Sequence, residues 1–277
     1  KEWRNVSLYG QEINALTSAI ARMNLFLHGI EDFKIVNGDT LAAPAFIERG
    51  KLQQFDVVVA NPPYSINQWN RDAFTADRYG RNFLGVPPQG RADYVFFQHI
   101  LISMKQHTGR CAVLFPHGVL FRNEERNMRE KLVRSDLLEC VIGLGSNLFY
   151  NSPMEACIVI CRSKKPDSHK GRVLFINAIN EVTRKNAQSY LEPQHIDKIA
   201  KAYEKFESDN GMAKKVSIRD IEKYDFSLSI PLYVENSSVI TGESAMTVQD
   251  SYEEWLKTSG RLRAHYDALG SLLMGEE

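Results

Sequence analysis

At 277 residues the chain is long enough for one large domain, or for one domain with an extension. Its hydrophobic content of 43% and charged content of 25% are ordinary for a soluble globular protein, and its formal net charge of zero excludes a general basic field that would hold nucleic acid. No apolar run approaches the roughly 20 residues of a membrane span, and no signal peptide is visible.

Residues 6–12 (Val-Ser-Leu-Tyr-Gly-Gln-Glu) read as a short strand that closes on a glycine and a carboxylate. Residues 13–29 then read as a helix. Ile13, Leu16, Ile20, Met23 and Leu27 follow its 3.6-residue period, and Gly29 stops it. An acid at the end of a second strand of a Rossmann type is where a nucleoside cofactor's ribose hydroxyls are bound, which makes Glu12 a candidate. The alternative is a carboxylate that only complements the helix dipole. Residues 33–41 repeat the pattern of strand, glycine and acid. Asp39 there can accept a hydrogen bond from a cofactor's adenine amino group, or can cap the next segment.

The strand expected to be central comes next, Phe55-Asp56-Val57-Val58-Val59-Ala60, and it stops at Asn61-Pro62-Pro63-Tyr64. Three valines in a row suit a strand buried on both faces. The two prolines lack ladder donors and fix φ, so the strand cannot continue. The residue before each is pushed toward the extended region. The product is a stiff loop at the carboxyl end of a strand, where open α/β sheets place their ligands. Asn61 offers a side-chain carbonyl and Pro62 a backbone carbonyl. Two acceptors side by side can take both hydrogens of an exocyclic amino group. That grip aims the nitrogen lone pair at an incoming methyl group and stabilises the positive charge growing on nitrogen. Tyr64 adds a flat face for a planar base. The tetrad resembles motif IV of the amino methyltransferases, which use S-adenosylmethionine. Asn at its first position is as in the adenine-N6 enzymes, where cytosine-N4 enzymes more often carry Ser. The alternative is a proline turn without chemistry.

Residues 65–93 are long and lack periodicity. They mix Arg71, Arg78, Arg81 and Arg91 with Trp69, Phe74, Tyr79 and Phe83. This suits contact with phosphates and unstacked bases, or a mobile surface loop. Residues 94–107 read as a helix, 111–116 as a strand, 123–134 as a charged helix, and 137–144, 155–161 and 172–178 as strands. Cys111, Cys140, Cys157 and Cys161 lie in these apolar runs, as reduced core thiols of a cytosolic protein do. Cys157 and Cys161 would sit about 13 Å apart on a strand, so neither a zinc site nor a disulfide is expected. His99 and His117 flank apolar runs and read as structural. Residues 186–206 look helical, 216–221 open a second short unit that ends near 233, and 234–247 read as a polar linker. Residues 251–274 carry a heptad seam of Trp255, Leu262, Tyr266, Leu269 and Leu273, weakened by Gly260 and Gly270. Such a seam wants a partner helix, in another chain or in this one.

In order, Gly10-Gln11-Glu12, Ala21-Arg22-Met23-Asn24-Leu25, Gly38-Asp39-Thr40-Leu41, Asn61-Pro62-Pro63-Tyr64, Asp93-Tyr94-Val95-Phe96 and Leu148-Phe149-Tyr150 line up. Together they resemble the modification (M) subunit of type I restriction–modification systems, over roughly residues 5–235. The resemblance implies an α/β class I methyltransferase fold with a mostly parallel sheet, a core at 1–180, a helical or irregular extension at 181–235, and a linker with a partner helix at 236–277. It implies methyl transfer from S-adenosylmethionine to adenine N6 in double-stranded DNA. Asn61, Pro62, Pro63 and Tyr64 would be catalytic, and Glu12, Asp39, Leu41, Asn61 and Phe96 would hold the cofactor, with no metal. The implied partners are a specificity (S) subunit, a restriction (R) subunit and a second M subunit, in the cytoplasm. The family's glycine-rich cofactor loop should precede Val6. Gly143-Leu144-Gly145-Ser146 is the remaining glycine pair after a strand and a poor substitute for it. A truncated chain, lacking the sheet's first strand and inactive alone, is therefore expected. Two rivals stand beside this reading: a methyltransferase for a protein glutamine or an RNA base, and a non-catalytic piece that binds a partner through its C-terminal helix.

Overall fold

The computed structural model describes residues 6–64, 66–149, 152–186, 188–209, 211–234, 255–256 and 258–260. The chain divides into two units, Lys1–Glu235 and Asn236–Glu277. In the second, the described residues are helical. Leu262, Tyr266, Leu269 and Leu273 of the expected seam lie outside the described residues, as does the expected linker from residue 235 onward.

The first unit opens with β1 (Leu8–Glu12), α1 (Ala15–Leu27) and β2 (Phe33–Asn37). β1 and β2 pair in parallel, Leu8 opposite Phe33 and Glu12 opposite Asn37. Asn14 starts α1 by accepting the Thr17 N–H at 3.0 Å. Gly29, with φ at +69°, ends the segment in the left-handed region that glycine tolerates. A two-strand hairpin follows, β3 (Ile47–Glu48) with β4 (Lys51–Leu52), and then β5 (Val57–Ala60). A short α2 (Arg71–Thr75) and α3 (Asp93–Ile102) lead to β6 (Arg110–Pro116). After α4 (Arg126–Arg134) come β7 (Leu138–Leu144), β8 (Ala156–Arg162) and β9 (Arg172–Ala178). The hairpin β10 (Thr183–Lys185) and β11 (Gln188–Tyr190), α5 (Pro193–Lys205), β12 (Ala213–Ser217) and α6 (Ile218–Lys223) complete the unit.

The main sheet has the order β12-β9-β7-β8-β6-β5. β5, β6, β7 and β9 run one way, while β8 and β12 run against them. Alternation along the strands builds two cores. Val113, Phe115, Val159, Val173 and Phe175 face one side, with Tyr94, Phe97 and Leu101 of α3 and Leu132 of α4. Cys140, Ile142, Leu174 and Ile176 face the other, under Ala202 of α5. All four cysteines are buried free thiols.

Several expectations change. β5 is the last strand of its sheet, and its outer face is bare, with Val57 49% and Val59 76% exposed. Only Val58 and Ala60 pack inward, because α5 covers the β9 end of that layer and no described element covers the β5 end. The apolar stripe of α1 is likewise exposed at Leu16, Ile20, Met23 and Leu27, as is Ile13 just ahead of the helix. Residues 186–206 are not one helix. A hairpin comes first, and α5 begins at Pro193, where Glu192 and His195 form a reciprocal capping pair. The stretch read as opening a second unit instead adds β12, antiparallel to β9, to the main sheet.

Candidate functional site

The tetrad leaves the carboxyl end of β5, beside β6. Asn61 and Pro63 are exposed, Pro62 is buried and Tyr64 is half-buried. The corner is therefore open to a ligand at its asparagine while its first proline anchors it. The Tyr64 hydroxyl donates to Asn61 Oδ1 at 2.8 Å. Burial first, then the nearby Cys157 thiol and Asp93 carboxyl, raise the Tyr64 phenol above its ordinary value, so it stays a donor at neutral pH.

The two acids stand at neighbouring strand ends. Gly38 N–H donates to the Glu12 carbonyl at 3.0 Å, which places Asp39 just beyond the β1–β2 pairing. Glu12 Oε1 accepts the Asn14 N–H at 2.8 Å. Asp39 Oδ1 accepts from Leu41 N–H at 2.8 Å and Ala42 N–H at 3.1 Å. Each acid thus spends one oxygen on its own turn. The helix-end and capping alternatives describe this local bonding well, and the second carboxylate oxygens take no bond among the described residues. Gln11 pins the same loop from below, through Ala43 O at 2.9 Å and Ala45 N–H at 2.9 Å.

Leu41 and Phe96 meet in one apolar cluster with Ile66, Trp69, Phe74, Val86, Ala92 and Val95. That cluster draws on the aperiodic segment after the tetrad, which packs inward instead of lying loose on the surface. Arg81 is buried there and bonds Asp77 and the carbonyls of Thr40 and Leu41, so it offers nothing to a phosphate. The β1–β2 pair belongs to a different sheet from β5, and Tyr9, Phe46 and Phe55 join them with ring centroids 5.2 to 6.1 Å apart.

The glycine pair at the end of β7 has a packing explanation. A Cβ at Gly145 would meet Ile179 O at 2.6 Å, and one at Gly143 would meet Ile230 Cδ1 at 2.7 Å. His117 Nε2 lies 2.9 Å from Ala156 O, a backbone tether. Burial lowers the His99 imidazole to about 4, so it is neutral at physiological pH. Of the aligned motif residues, Tyr150 lies outside the described residues. Sequence reading missed Gln11 and Arg81 as braces of this corner. Each looks like an ordinary surface residue until its distant partners, 32 to 41 positions away, are known.

A family model described as N-6 DNA Methylase matches residues 1–241. The methylase subunit of the type I restriction enzyme MjaVIII from Methanocaldococcus jannaschii is 33% identical over 97% of this chain and 49% of its own length. That of HindI from Haemophilus influenzae is 30% identical over 94% of this chain and 60% of its own. The type I restriction–modification methyltransferase subunit from Streptococcus thermophilus superimposes with a TM-score of 0.77 at 29% identity, covering 84% of this chain and 56% of that one. The chain spans about half the length of the curated relatives it matches.

Proposed function

The chain belongs to the N-6 DNA methylase family, and on that premise we propose that it carries the target-amine grip and part of the cofactor seat of a type I restriction–modification methylase subunit. Its fold is the class I methyltransferase fold. The reaction is methyl transfer from S-adenosylmethionine to N6 of an adenine turned out of duplex DNA. The observation that carries this is an exposed Asn61 at the carboxyl end of β5, on a buried Pro62, in a chain whose β1 ends in Glu12 and whose β2 is followed two residues later by Asp39.

The chain's residues fit such a cofactor. Glu12 would take its ribose hydroxyls and Asp39 its adenine amino group, each through the oxygen its turn leaves unbonded, with Leu41 and Phe96 against the adenine ring. When bound, the cofactor supplies an electrophilic methyl group. Asn61 Oδ1 and the Pro62 carbonyl then accept both N6 hydrogens and hold the nitrogen lone pair toward that methyl group. Their partial charges stabilise the cation that develops on N6. The surplus proton leaves to water, so no histidine is required, in keeping with the tethered His117 and neutral His99. Tyr64 offers its ring to the unstacked base, offsetting part of the few kcal/mol that base extrusion costs.

The zero net charge favours shared DNA binding. Specificity and restriction subunits and a second methylase subunit are the proposed partners; the relatives are named as methylase subunits of type I restriction enzymes. The test uses the protein that carries these residues, in its complex, with S-adenosylmethionine and a duplex containing the recognition site. N6-methyladenine should form, and N61A should lower kcat by roughly 100-fold or more while the fold persists. Methyl groups found on a glutamine amide or an RNA base, with none on duplex adenine, would overturn the reading.

A further inference from the structure

Arg81 is 4% exposed, although it stands in a run of arginines and aromatics. A buried guanidinium needs a counter-charge and an acceptor for each donor. Asp77 supplies the charge, accepting from Nε at 3.0 Å and from Nη2 at 2.7 Å. Its other oxygen takes the Arg81 backbone N–H at 2.8 Å. The remaining donors leave this local pair and reach across 40 residues of sequence. Nη1 donates to Thr40 O at 3.2 Å and Nη2 to Leu41 O at 2.9 Å.

Those two carbonyls directly follow Asp39. The Leu41 N–H is already held by the Asp39 carboxylate, so the turn is fixed by Asp39 on its amide side and by Arg81 on its carbonyl side. Arg81 also lies 5.4 Å from the Tyr79 ring centroid and 5.9 Å from that of Phe74, which packs in the cluster containing Leu41 and Phe96. A separate bolt holds the same segment further along. Gln98 accepts the Leu84 N–H at 2.7 Å and donates to Gly85 O at 2.9 Å, without touching residues 40 or 41.

From this geometry we propose that Arg81 is a positioning residue for the cofactor's adenine, acting through Thr40 and Leu41. The proposal rests on the methyl-transfer reading. Arg81 sits on the segment that follows the tetrad, and its side-chain bonds run to Asp77, Thr40 and Leu41 and not to the tetrad. Losing it frees the carbonyls of Thr40 and Leu41 and lets the Asp39 carboxylate and Leu41 side chain drift from the adenine. The amine acceptors at Asn61 and Pro62 keep their place. The effect therefore falls on cofactor affinity and spares the chemical step.

The experiment compares R81K, D77N and Q98L with the wild-type protein in its complex. Measured are the KM and calorimetric affinity for S-adenosylmethionine, kcat at saturating cofactor, and the melting temperature. A lysine keeps the charge but cannot fork between Asp77 and two carbonyls. R81K should raise the cofactor KM and weaken binding by roughly tenfold or more, with kcat at saturation within about twofold of wild type. D77N should raise the same KM by less, and carries the test if R81K does not fold. Q98L should lower the melting temperature and leave the cofactor KM unmoved. Equal KM increases in R81K and Q98L would reduce Arg81 to a structural role, and an unmoved KM in both R81K and D77N would remove the role altogether. If the wild-type protein binds no S-adenosylmethionine, the methyl-transfer reading falls and takes this proposal with it.

Discussion

The hydroxyl of Tyr64 donates to Asn61 Oδ1 at 2.8 Å, so the acceptor proposed to grip the target amine already holds a hydrogen bond within its own tetrad. Oδ1 has two lone pairs, and an arriving amino group can either use the second or displace the phenol. The ring and the hydroxyl of Tyr64 therefore make separable contributions. Y64F keeps the stacking face and frees Asn61, and its kcat should stay within about threefold of wild type. Y64A removes the face and should weaken target binding by about 1–3 kcal/mol. Stopped-flow fluorescence of a duplex with 2-aminopurine at the target position would separate the two. Equal losses in both variants would show that the hydroxyl, not the ring, carries the effect.

Asp39 divides its carboxylate between a turn and the proposed cofactor contact. D39N keeps an acceptor oxygen for Leu41 and Ala42 N–H. It removes the charge and sets an amide facing the cofactor's amino group. S-adenosylmethionine affinity should fall by about 1–2 kcal/mol with the melting temperature nearly unchanged. Titration calorimetry alongside thermal unfolding checks both halves.

Glu125 predicts a pH dependence of stability. Its carboxyl is fully buried, and neither oxygen has a hydrogen-bond partner among the described residues. Arg122 Nη1 lies 3.6 Å from it but sits closer to Asp93, at 2.7 Å. Burial is the main cause that pushes Glu125 up from 4.5 to about 7. Arg122, Arg129 and Arg91 pull it down, and Asp93 adds to the rise. The folded state holds this proton more tightly than the unfolded chain does. Its stability contribution is therefore complete below about 4.5 and is lost as pH rises through about 7. The loss is on the order of 3 kcal/mol. E125Q should flatten that part of the denaturant midpoint-versus-pH curve and stabilise the protein at pH 8. An unchanged curve would refute the assignment.

Near the amino end of β7, Glu139 is a buried carboxylate whose oxygens are bonded. Two residues of β7, Leu138 and Glu139, face the single Cys161 of β8, a bulge that re-aims the side chain. It accepts from Arg162 Nε at 2.9 Å and Tyr203 OH at 2.7 Å, and lies 2.9 Å from His169 Nδ1. Burial pushes its carboxyl up, but hydrogen bonds from His169, Tyr203 and Arg162 outweigh that and hold it below the ordinary range. E139L would leave Arg162 without its counter-charge and should cost about 3 kcal/mol or more. Chemical denaturation would measure this. Methyl transfer by the folded fraction should be unaffected, because Glu139 begins a strand whose other end faces the tetrad's side of the sheet.

The sequence alone determined what depends on near neighbours. β-branched runs became strands, two prolines ended β5, and the acids after Gly10 and ahead of Thr40 stand at the ends of β1 and β2. Steric limits on φ and side-chain period act within a few residues, so Asn61 to Tyr64 are legible in the sequence as a corner at a strand end. Tertiary structure alone decided which surfaces found a cover. Val57 and Val59 have the composition of a doubly buried strand yet lie bare, because burial depends on which element packs above them. The hairpin ahead of α5 and the enlistment of β12 by β9 arise from pairing partners distant in sequence. Arg81 resembled its exposed neighbours until Thr40 and Leu41, some 40 residues earlier, supplied acceptors that water would otherwise provide. The rise in the proton affinity of Glu125 was not legible either, since it follows from burial first, with Asp93, 32 positions away, adding to it.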